Sequence, residues 1–290
     1  MTFRGVYTAL VTPFTGGEVD YGKLRELVER QVTGGVAGIV PVGTTGESPT
    51  LTYDEHIRVI EETVKQAAGR CTIIAGTGAN STREAVEMTL KAKAAGADAT
   101  LQVVPYYNKP TQEGMYRHFM TVAEQTGMPV VLYNVPGRSG VGLNVETIAR
   151  LRKASPLMAA VKEAAGSAER VSAILDLCDI AILSGDDALT LPMISVGAMG
   201  VISVTSNLLP EKMVELVKLF FAGKVDEAQK LNRWLYPFFR DQFIESNPIP
   251  IKAAMAMCGV IAEEYRLPLC ELSAANRDKL AATLKRMNLI

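Results

Sequence analysis

Eight short apolar runs, each followed by a longer amphipathic stretch, limit what this chain can fold into more than any other feature. They recur roughly every 20 to 35 residues, which is the rhythm of repeated βα units. Most are apolar almost throughout, as is typical of parallel strands buried on both faces. The eight runs are Val6–Val11, Gly38–Val42, Thr72–Ala75, Ala99–Val104, Val130–Tyr133, Leu157–Lys162, Ile180–Leu183 and Gly200–Val204.

The stretches between the runs carry the signals of helices. Thr52 and Ser81 each precede a glutamate three residues later, Glu55 and Glu84, which is the pattern of a capping box at a helix start. Eight βα units favour an α/β fold in which the sheet closes into a (β/α)8 TIM barrel. A doubly wound open sheet is the alternative.

After the eighth run the alternation stops and only helical patterns follow. The first of these would be the eighth barrel helix, and the others a C-terminal helical appendage. We therefore predict a catalytic barrel over residues 1–224 and an appendage over residues 225–290. The four helical patterns are Pro210–Phe221, Val225–Phe239, Pro250–Ala262 and Ser273–Met287.

Composition argues against several classes of function. The formal net charge is −1 and no long basic run occurs, so neither nucleic acid nor an anionic membrane is an expected partner. We find no signal peptide and no stretch of about 18 apolar residues. The four cysteines form no CxxC pair, which suits thiols in a reducing cytoplasm. His56 and His118 are far apart, so a histidine metal site is not expected.

In a barrel of this kind the active site lies at the carboxyl ends of the strands. Lys162 ends the sixth run and would point into the barrel mouth. Partial loss of hydration there favours the neutral amine, which can attack a ketone and form an imine. The alternative is a solvated lysine, or one paired with the adjacent Glu163, because lysines are seldom functional and seldom buried.

Three further features lie at strand ends in this arrangement. Tyr133 ends the fifth run and could shuttle protons, or could be a packed tyrosine with a tethered hydroxyl. The loop Gly43–Gly46 offers hydroxyls and backbone amides to a carboxylate, or is a plain turn. Arg138, on the loop after the fifth run, could clamp a substrate carboxylate, or could be a surface arginine.

Two other patterns do not support a site. Gly76–Gly78 lacks the third glycine of a dinucleotide fingerprint, because Ser81 stands at that position. Asp186 and Asp187 could bind Mg²⁺, but adjacent carboxylates also suit the first turn of a helix, and we favour the cap.

Eight short motifs follow one another along nearly the whole chain. They are Gly43–Glu47, Ala75–Asn80, Pro105–Asn108, Tyr133–Arg138, Val161–Glu163, Leu183–Asp187, Gly200–Ser203 and Asn247–Pro250. In their order and spacing these motifs resemble the dihydrodipicolinate synthase (4-hydroxy-tetrahydrodipicolinate synthase) family. Each motif is short, and their joint occurrence carries the resemblance.

The resemblance implies a lyase of lysine and diaminopimelate biosynthesis that needs no metal or organic cofactor. Lys162 would form a Schiff base with pyruvate, and loss of a methyl proton would give an enamine. The enamine carbon would add to the aldehyde of L-aspartate 4-semialdehyde. The amino group of that substrate would then displace Lys162 and close the ring of 4-hydroxy-tetrahydrodipicolinate.

Other residues acquire roles from the same resemblance. Tyr133 would relay protons together with Thr44 and Tyr107. In the family the equivalent of Tyr107 comes from a neighbouring subunit, which implies a homo-oligomer, a dimer at least and usually a tetramer. Substrate contacts would come from Thr45 and Ile202 to the pyruvate carboxylate, Arg138 to the semialdehyde carboxylate, and Gly185 in the site wall.

Some family members are inhibited by L-lysine bound at a subunit interface. The matching positions here are Ser48, Pro49, Tyr53, His56, Asn80, Glu84 and Tyr106. Pro49 replaces an alanine and Tyr53 replaces the histidine of strongly regulated enzymes. Glu84 fits the regulated pattern but could instead serve as the capping-box acid. The resemblance therefore implies weak or moderate lysine feedback.

Three other functions fit parts of the pattern. Aldolases resembling N-acetylneuraminate lyase or 2-keto-3-deoxygluconate aldolase share the lysine and the tyrosine, but Arg138 favours an aldehyde that bears a carboxylate. A non-catalytic barrel that binds a keto acid would not need Lys162 together with Tyr133. A phosphate-binding barrel aldolase needs a glycine-rich cradle where Asp186 and Asp187 place negative charge.

Overall fold

The computed structural model of the chain describes residues 2–290. Eight of its strands run parallel and close into a barrel, so the predicted (β/α)8 TIM barrel is confirmed and the open sheet is wrong. The strands are β1 (Gly5–Ala9), β2 (Phe14–Thr15), β3 (Glu18–Val19), β4 (Gly38–Val40), β5 (Thr72–Gly76), β6 (Ala99–Val103), β7 (Val130–Asn134), β8 (Met158–Glu163), β9 (Ala181–Ser184) and β10 (Gly200–Ser203). Around the barrel their order is β1, β10, β9, β8, β7, β6, β5 and β4.

Each predicted run coincides with a barrel strand. All residues of β7 and β10 are buried, as expected for strands whose two faces are both covered. The antiparallel pair β2–β3 was not predicted, because two-residue strands carry no periodic pattern. Gly16 and Gly17, with φ of 63° and 82°, form the turn between these strands and were the available signal.

The helices occupy the stretches between the strands and the C-terminal region. At the start of α2, Thr52 and Glu55 form the predicted capping box. At the start of α3, Ser81 accepts a hydrogen bond from the backbone of Glu84, which is one half of the predicted box. The helices are α1 (Tyr21–Thr33), α2 (Tyr53–Ala67), α3 (Thr82–Ala94), α4 (Gln112–Thr126), α5 (Pro136–Ser139), α6 (Val145–Ala154), α7 (Glu169–Leu177), α8 (Thr190–Ser195), α9 (Pro210–Phe221), α10 (Val225–Asp241), α11 (Ile249–Met257) and α12 (Ala274–Arg286). In the described part of the chain, no helix combines the length and apolarity needed to cross a membrane.

The helices at the C-terminus follow the predicted pattern. Helix α10 packs against α9 and α12, and α11 packs against α12. The chain divides into two compact units, one made of Met1–Gly5 and Thr72–Ile202 and the other of Val6–Cys71 and Ser203–Ile290. This division does not test a boundary between residues 224 and 225, which stays a prediction.

Candidate active site

Lys162 lies near the carboxyl end of β8, where its side chain is only 6% exposed. Its partner in β7 is Tyr133, and its partner in β9 is Leu183. The Lys162 ammonium lies 4.2 Å from the centre of the Tyr133 ring, which is itself buried. Strand register therefore brings the predicted nucleophile and the predicted proton relay into contact.

Glu163 does not pair with Lys162. Consecutive residues of a strand face opposite sides, so Lys162 shares a face with Tyr133, and Glu163 shares the other face with Asn134. The buried carboxylate of Glu163 accepts hydrogen bonds from Asn134 Nδ2 at 2.9 and 3.1 Å and lies 3.1 Å from Arg170 Nε. Within residues 2–290, no carboxylate forms a salt bridge with Lys162. The ion-paired alternative for Lys162 is therefore wrong.

Gly185 follows β9 and touches the stem of Lys162. A Cβ at this position would lie 2.7 Å from Ala164 Cβ, 3.2 Å from Glu163 O and 3.2 Å from Lys162 Cε. The backbone N–H of Gly185 donates to Glu163 O at 2.8 Å. Only glycine leaves room here for the lysine, so the predicted place of Gly185 in the wall of the site fits its surroundings.

Arg138 lies on the single-turn helix α5, where the sequence predicted a loop. The turn forms because the N–H groups of Arg138 and Ser139 both donate to Val135 O. The Arg138 side chain is exposed, as suits a residue that meets a substrate arriving from solvent.

The segment that carries Arg138 is anchored by residues that the sequence analysis did not single out. Asn134 Oδ1 accepts the N–H of Leu143 at 2.9 Å, and Arg170 donates to Leu143 O at 2.8 Å. Because Asn134 and Arg170 also hold Glu163, one network behind β7 and β8 fixes both ends of the segment. The polar Asn134 and Glu163 at two adjacent strand ends were the available signal.

Tyr107 occupies an unusual backbone position. Its φ is 72°, and the N–H of Asn108 donates to Tyr106 O at 2.9 Å, which closes a γ-turn centred on Tyr107. Asn80 and Asn108 brace this turn: Asn80 Nδ2 donates to Tyr106 O at 3.2 Å, and Asn108 Nδ2 donates to Asn80 O at 2.9 Å. The Tyr107 side chain is 90% exposed, so within the single chain it is not packed against the buried Lys162.

Thr44 and Thr45 lie in the other unit, on a 3-10 turn (Thr44–Gly46) that follows β4. Thr45 is buried, and its hydroxyl accepts a hydrogen bond from Asn247 Nδ2 at 2.9 Å. Thr12 donates to Gly46 O at 2.6 Å. The loop is therefore a firmly held turn whose polar groups are positioned by side chains from distant parts of the sequence.

The remaining predicted positions lie on several elements. Ile202 is buried in β10. His56 is buried on α2, and Ser48 is half-buried in the turn before that helix. Burial, with a contribution from Glu84, raises the pKa of the Tyr106 phenol. Glu84 and Tyr106 lie in the same compact unit as Asn80.

The structure contains no obvious metal site in residues 2–290, where no group of three or more His, Cys, Asp or Glu side chains is placed to hold an ion. Asp186 caps a short 3-10 helix by accepting the N–H of Ala188 at 3.0 Å, so the predicted cap is confirmed. His118 is buried with Nδ1 2.9 Å from the Thr82 hydroxyl, and burial lowers its pKa to about 4. A buried histidine of this kind is structural.

Comparison with known proteins gives one consistent result. A model of the Dihydrodipicolinate synthetase family matches residues 2–287. The 4-hydroxy-tetrahydrodipicolinate synthase of Geotalea daltonii is 53% identical, and the alignment covers 99% of this chain and 100% of the relative.

Two solved structures of similar proteins contain bound small molecules. One is the chloride-inhibited dihydrodipicolinate synthase of Acinetobacter baumannii in complex with pyruvate, with a TM-score of 0.97, 44% identity and all of both chains covered. The other is the enzyme of Cyanidioschyzon merolae with lysine bound, with a TM-score of 0.96, 40% identity and 99% of each chain covered.

Proposed function

The chain belongs to the dihydrodipicolinate synthetase family, and from this premise we infer that its activity is that of a 4-hydroxy-tetrahydrodipicolinate synthase. It is a lyase of lysine and diaminopimelate biosynthesis. Its substrates are pyruvate and L-aspartate 4-semialdehyde, and one water is released for each product formed. The observation that carries the chemistry is Lys162, which is buried at a strand end against Tyr133 and, within residues 2–290, forms no salt bridge with a carboxylate.

The first half of the reaction captures pyruvate. Lys162 Nζ attacks the ketone carbon, and the resulting carbinolamine loses water to give an imine. The imine withdraws electrons from the neighbouring methyl group, which loses a proton and becomes an enamine. Each step moves a proton at or near the lysine nitrogen. Tyr133, whose ring touches that nitrogen, is the proposed relay.

The second half joins the two substrates. The enamine carbon attacks the aldehyde carbon of the semialdehyde, and the new oxyanion takes a proton to become the 4-hydroxyl group. The substrate amine then adds to the imine carbon and expels Lys162 as the free amine, which regenerates the enzyme. Arg138 is the proposed partner of the semialdehyde carboxylate, because a guanidinium binds a carboxylate with two parallel hydrogen bonds.

Further assignments rest on the matching sequence motifs. Thr44 and Tyr107 complete the proposed proton relay, and Thr45 and Ile202 provide backbone contacts to the pyruvate carboxylate. Catalysis takes place in a homo-oligomer, a tetramer or a dimer, because Tyr107 acts in a neighbouring subunit. A reducing cytoplasm is the proposed location, since no disulfide joins the four cysteines within residues 2–290.

L-Lysine is the proposed feedback inhibitor, with weak or moderate effect. Support comes from the Cyanidioschyzon merolae enzyme with lysine bound and from Ser48, His56, Asn80, Glu84 and Tyr106 at matching positions. Pro49 and Tyr53 differ from strongly regulated enzymes, which is why the effect is expected to be modest. A rate that stays constant from micromolar to high-millimolar lysine would remove this proposal.

A coupled assay with both substrates tests the function and the role of Arg138 together. Arg138→Ala should reduce kcat/KM for the semialdehyde about 10- to 100-fold, the value of a lost charged hydrogen-bond pair. Trapping of pyruvate by the same variant should stay near the wild-type level. Arg117→Ala, which removes an exposed arginine on α4, is the control. Turnover of a sugar aldehyde in place of the semialdehyde would instead indicate a related aldolase.

A further inference from the structure

A second buried lysine lies near the turn that carries Thr44 and Thr45. Lys252, on α11, has a fully buried side chain, and its ammonium lies 2.5 Å from Glu47 Oε1. Glu47 is equally buried, and its other oxygen accepts the backbone N–H of Arg266 at 3.3 Å. The rings of Phe14 and Tyr265 cover the ammonium at 4.3 and 5.4 Å. The pair is thus sealed from water, and the proposed chemistry does not use it.

Glu47 is the joint between two 3-10 turns, Thr44–Gly46 and Ser48–Thr50. Its φ of 55° is in the left-handed region, which a residue with a side chain adopts only when its surroundings impose it. The surroundings here are the contacts of its carboxylate. The direction in which the chain leaves Thr44 and Thr45 therefore depends on where the Glu47 side chain is anchored.

A second anchor from the same region of sequence holds the turn itself. Asn247, just before α11, donates to the Thr45 hydroxyl at 2.9 Å. Arg266 extends the anchor on the far side, since its guanidinium donates to Thr50 O at 3.0 Å and binds Glu55 through both terminal nitrogens. The turn is thus fixed at Thr45, Glu47 and Thr50 by three residues that lie about 200 positions later in the sequence.

Stability alone is a poor explanation of the buried pair. Removing two charges from water often costs more free energy than their mutual attraction returns. Replacing such a pair with well-packed apolar residues of the same size frequently leaves a protein as stable or makes it more stable. A buried pair is better suited to selecting one conformation of the chain around it. Lys252 is also too enclosed to meet a substrate, so it is not a second nucleophile.

We propose that Lys252 and Asn247 are positioning residues, which act through Glu47 and Thr45 to hold the Thr44–Thr45 turn in the geometry that binds pyruvate. This inference rests on the proposed function, in which Thr45 contacts the pyruvate carboxylate and Thr44 relays protons. The C-terminal region would then set the shape of a substrate-binding turn without contributing an atom that touches substrate.

The test compares kcat and KM for pyruvate in purified full-length variants. Lys252→Met should raise KM about tenfold or more and also lower kcat, because a displacement near 1 Å in a binding group can cost about 100-fold. Asn247→Ala, which removes the hydrogen bond to the Thr45 hydroxyl, should shift both constants in the same direction by a smaller factor. Both variants should still give a borohydride-trapped adduct on Lys162 at saturating pyruvate.

Two further variants separate positioning from simple stabilisation. Asp241→Asn removes another buried carboxylate of the C-terminal helices, one bound to Arg240 and Thr283 and not to the turn, and should lower Tm without changing either constant. The double variant Glu47→Gln/Lys252→Met leaves no unpaired buried charge. It should regain much of the Tm lost in Lys252→Met, while KM stays high.

The outcomes discriminate between the two proposals. Wild-type kinetics in folded Lys252→Met and Asn247→Ala, or full kinetic recovery of the double variant along with its Tm, would overturn the positioning role alone. If Lys252→Met does not fold, Asn247→Ala decides the question. A wild-type protein that forms no pyruvate adduct would overturn the proposed function, and the positioning role with it.

Discussion

Lys162 and Lys252 are both buried, and their neighbours give them different chemistry. Lys252 faces a carboxylate at 2.5 Å, and burial lowers its pKa while Glu47 opposes that change. An ammonium held in this way is a structural cation. Lys162 instead contacts an aromatic ring and is not salt-bridged to any carboxylate within residues 2–290. No ion pair therefore opposes its proposed attack on a ketone. At the residue scale, the partner of a lysine decides its role more than its burial does.

The sequence could identify only one of these lysines. Lys162 ends a strand, where the barrel architecture directs attention, and it was correctly placed beside Tyr133. Lys252 interrupts the apolar pattern of a helix, where a lysine is usually expected to extend its charged end to water. The same signal, a lone lysine in an apolar run, was present in both places. Its partner Glu47 is about 200 residues away, and no local pattern connects the two.

At the residue scale, Gly185→Ala tests whether the room around Lys162 is required. The new methyl group would lie 2.7 Å from Ala164 Cβ and 3.2 Å from Lys162 Cε, so either the lysine or the strand end must move. We expect kcat/KM for pyruvate to fall about 100-fold, the cost of a misplaced reacting group.

Gly114→Ala on α4 is the matched control for this substitution. Its added methyl group would meet Pro110 Cβ at 3.4 Å and the Thr111 hydroxyl at 3.5 Å, which are ordinary contacts. Steady-state kinetics of the two variants should therefore differ widely. Equal kinetics for both would show that the close packing at Gly185 has no bearing on catalysis.

At the scale of elements, the sequence predicted the strands and most helices, because period and capping signals are local. It did not predict how the segments between them are held. Asn134 and Arg170 hold Leu143, at the end of the segment that carries α5. Asn80 and Asn108 brace the γ-turn at Tyr107. These hydrogen bonds join residues that only the folded barrel brings together, so the sequence pattern can mark a polar strand end such as Asn134 but cannot identify its partners.

The contact between α2 and the C-terminal region gives an element-scale prediction about pH. Arg266 binds the Glu55 carboxylate and holds its pKa near 2, well below the value near 4.5 of an unpaired glutamate. Because the folded pKa is lowered, the stabilisation is present above about pH 5 and is lost as pH falls towards about 2. We expect Glu55→Gln to lower the free energy of unfolding by about 1–2 kcal/mol at pH 7, after allowing for solvent screening of the pair.

Urea unfolding at pH 7 and pH 3 measures this effect. The difference between wild type and Glu55→Gln should shrink by more than half at the lower pH. Glu215→Gln removes one partner of an exposed pair on α9 and should change little at either pH. A difference for Glu55→Gln that is the same at both values would mean that the lost stability comes from the helix cap at Thr52 and not from the ion pair.

At the scale of the whole molecule, one proposed catalytic residue, Tyr107, is not packed against Lys162 within the single chain. Tyr107 is held in a braced γ-turn with positive φ, yet its side chain is 90% exposed. An exposed aromatic side chain on a braced backbone turn is typical of a surface that meets a partner. This agrees with the proposal that Tyr107 acts in a neighbouring subunit, which the sequence reached only through family resemblance.

Mixing two inactive variants tests that arrangement. Lys162→Ala lacks the nucleophile, and Tyr107→Phe lacks the phenol, but a hybrid dimer contains one site with both groups if Tyr107 is exchanged between subunits. Refolding an equal mixture should then restore about a quarter of wild-type activity, since about half of the dimers are hybrids with one complete site each. No recovery in a mixture shown to contain hybrids would place Tyr107 in its own subunit or outside the site.

In the proposed mechanism Lys162 forms a covalent imine with pyruvate, and chemical trapping of that imine tests the mechanism directly. The full-length protein is incubated with pyruvate and borohydride, digested, and mapped by mass spectrometry. We expect one reduced pyruvate adduct per chain, on Lys162, which disappears in Lys162→Arg. Labelling of another lysine, or no labelling under conditions where the protein turns over both substrates, would contradict it.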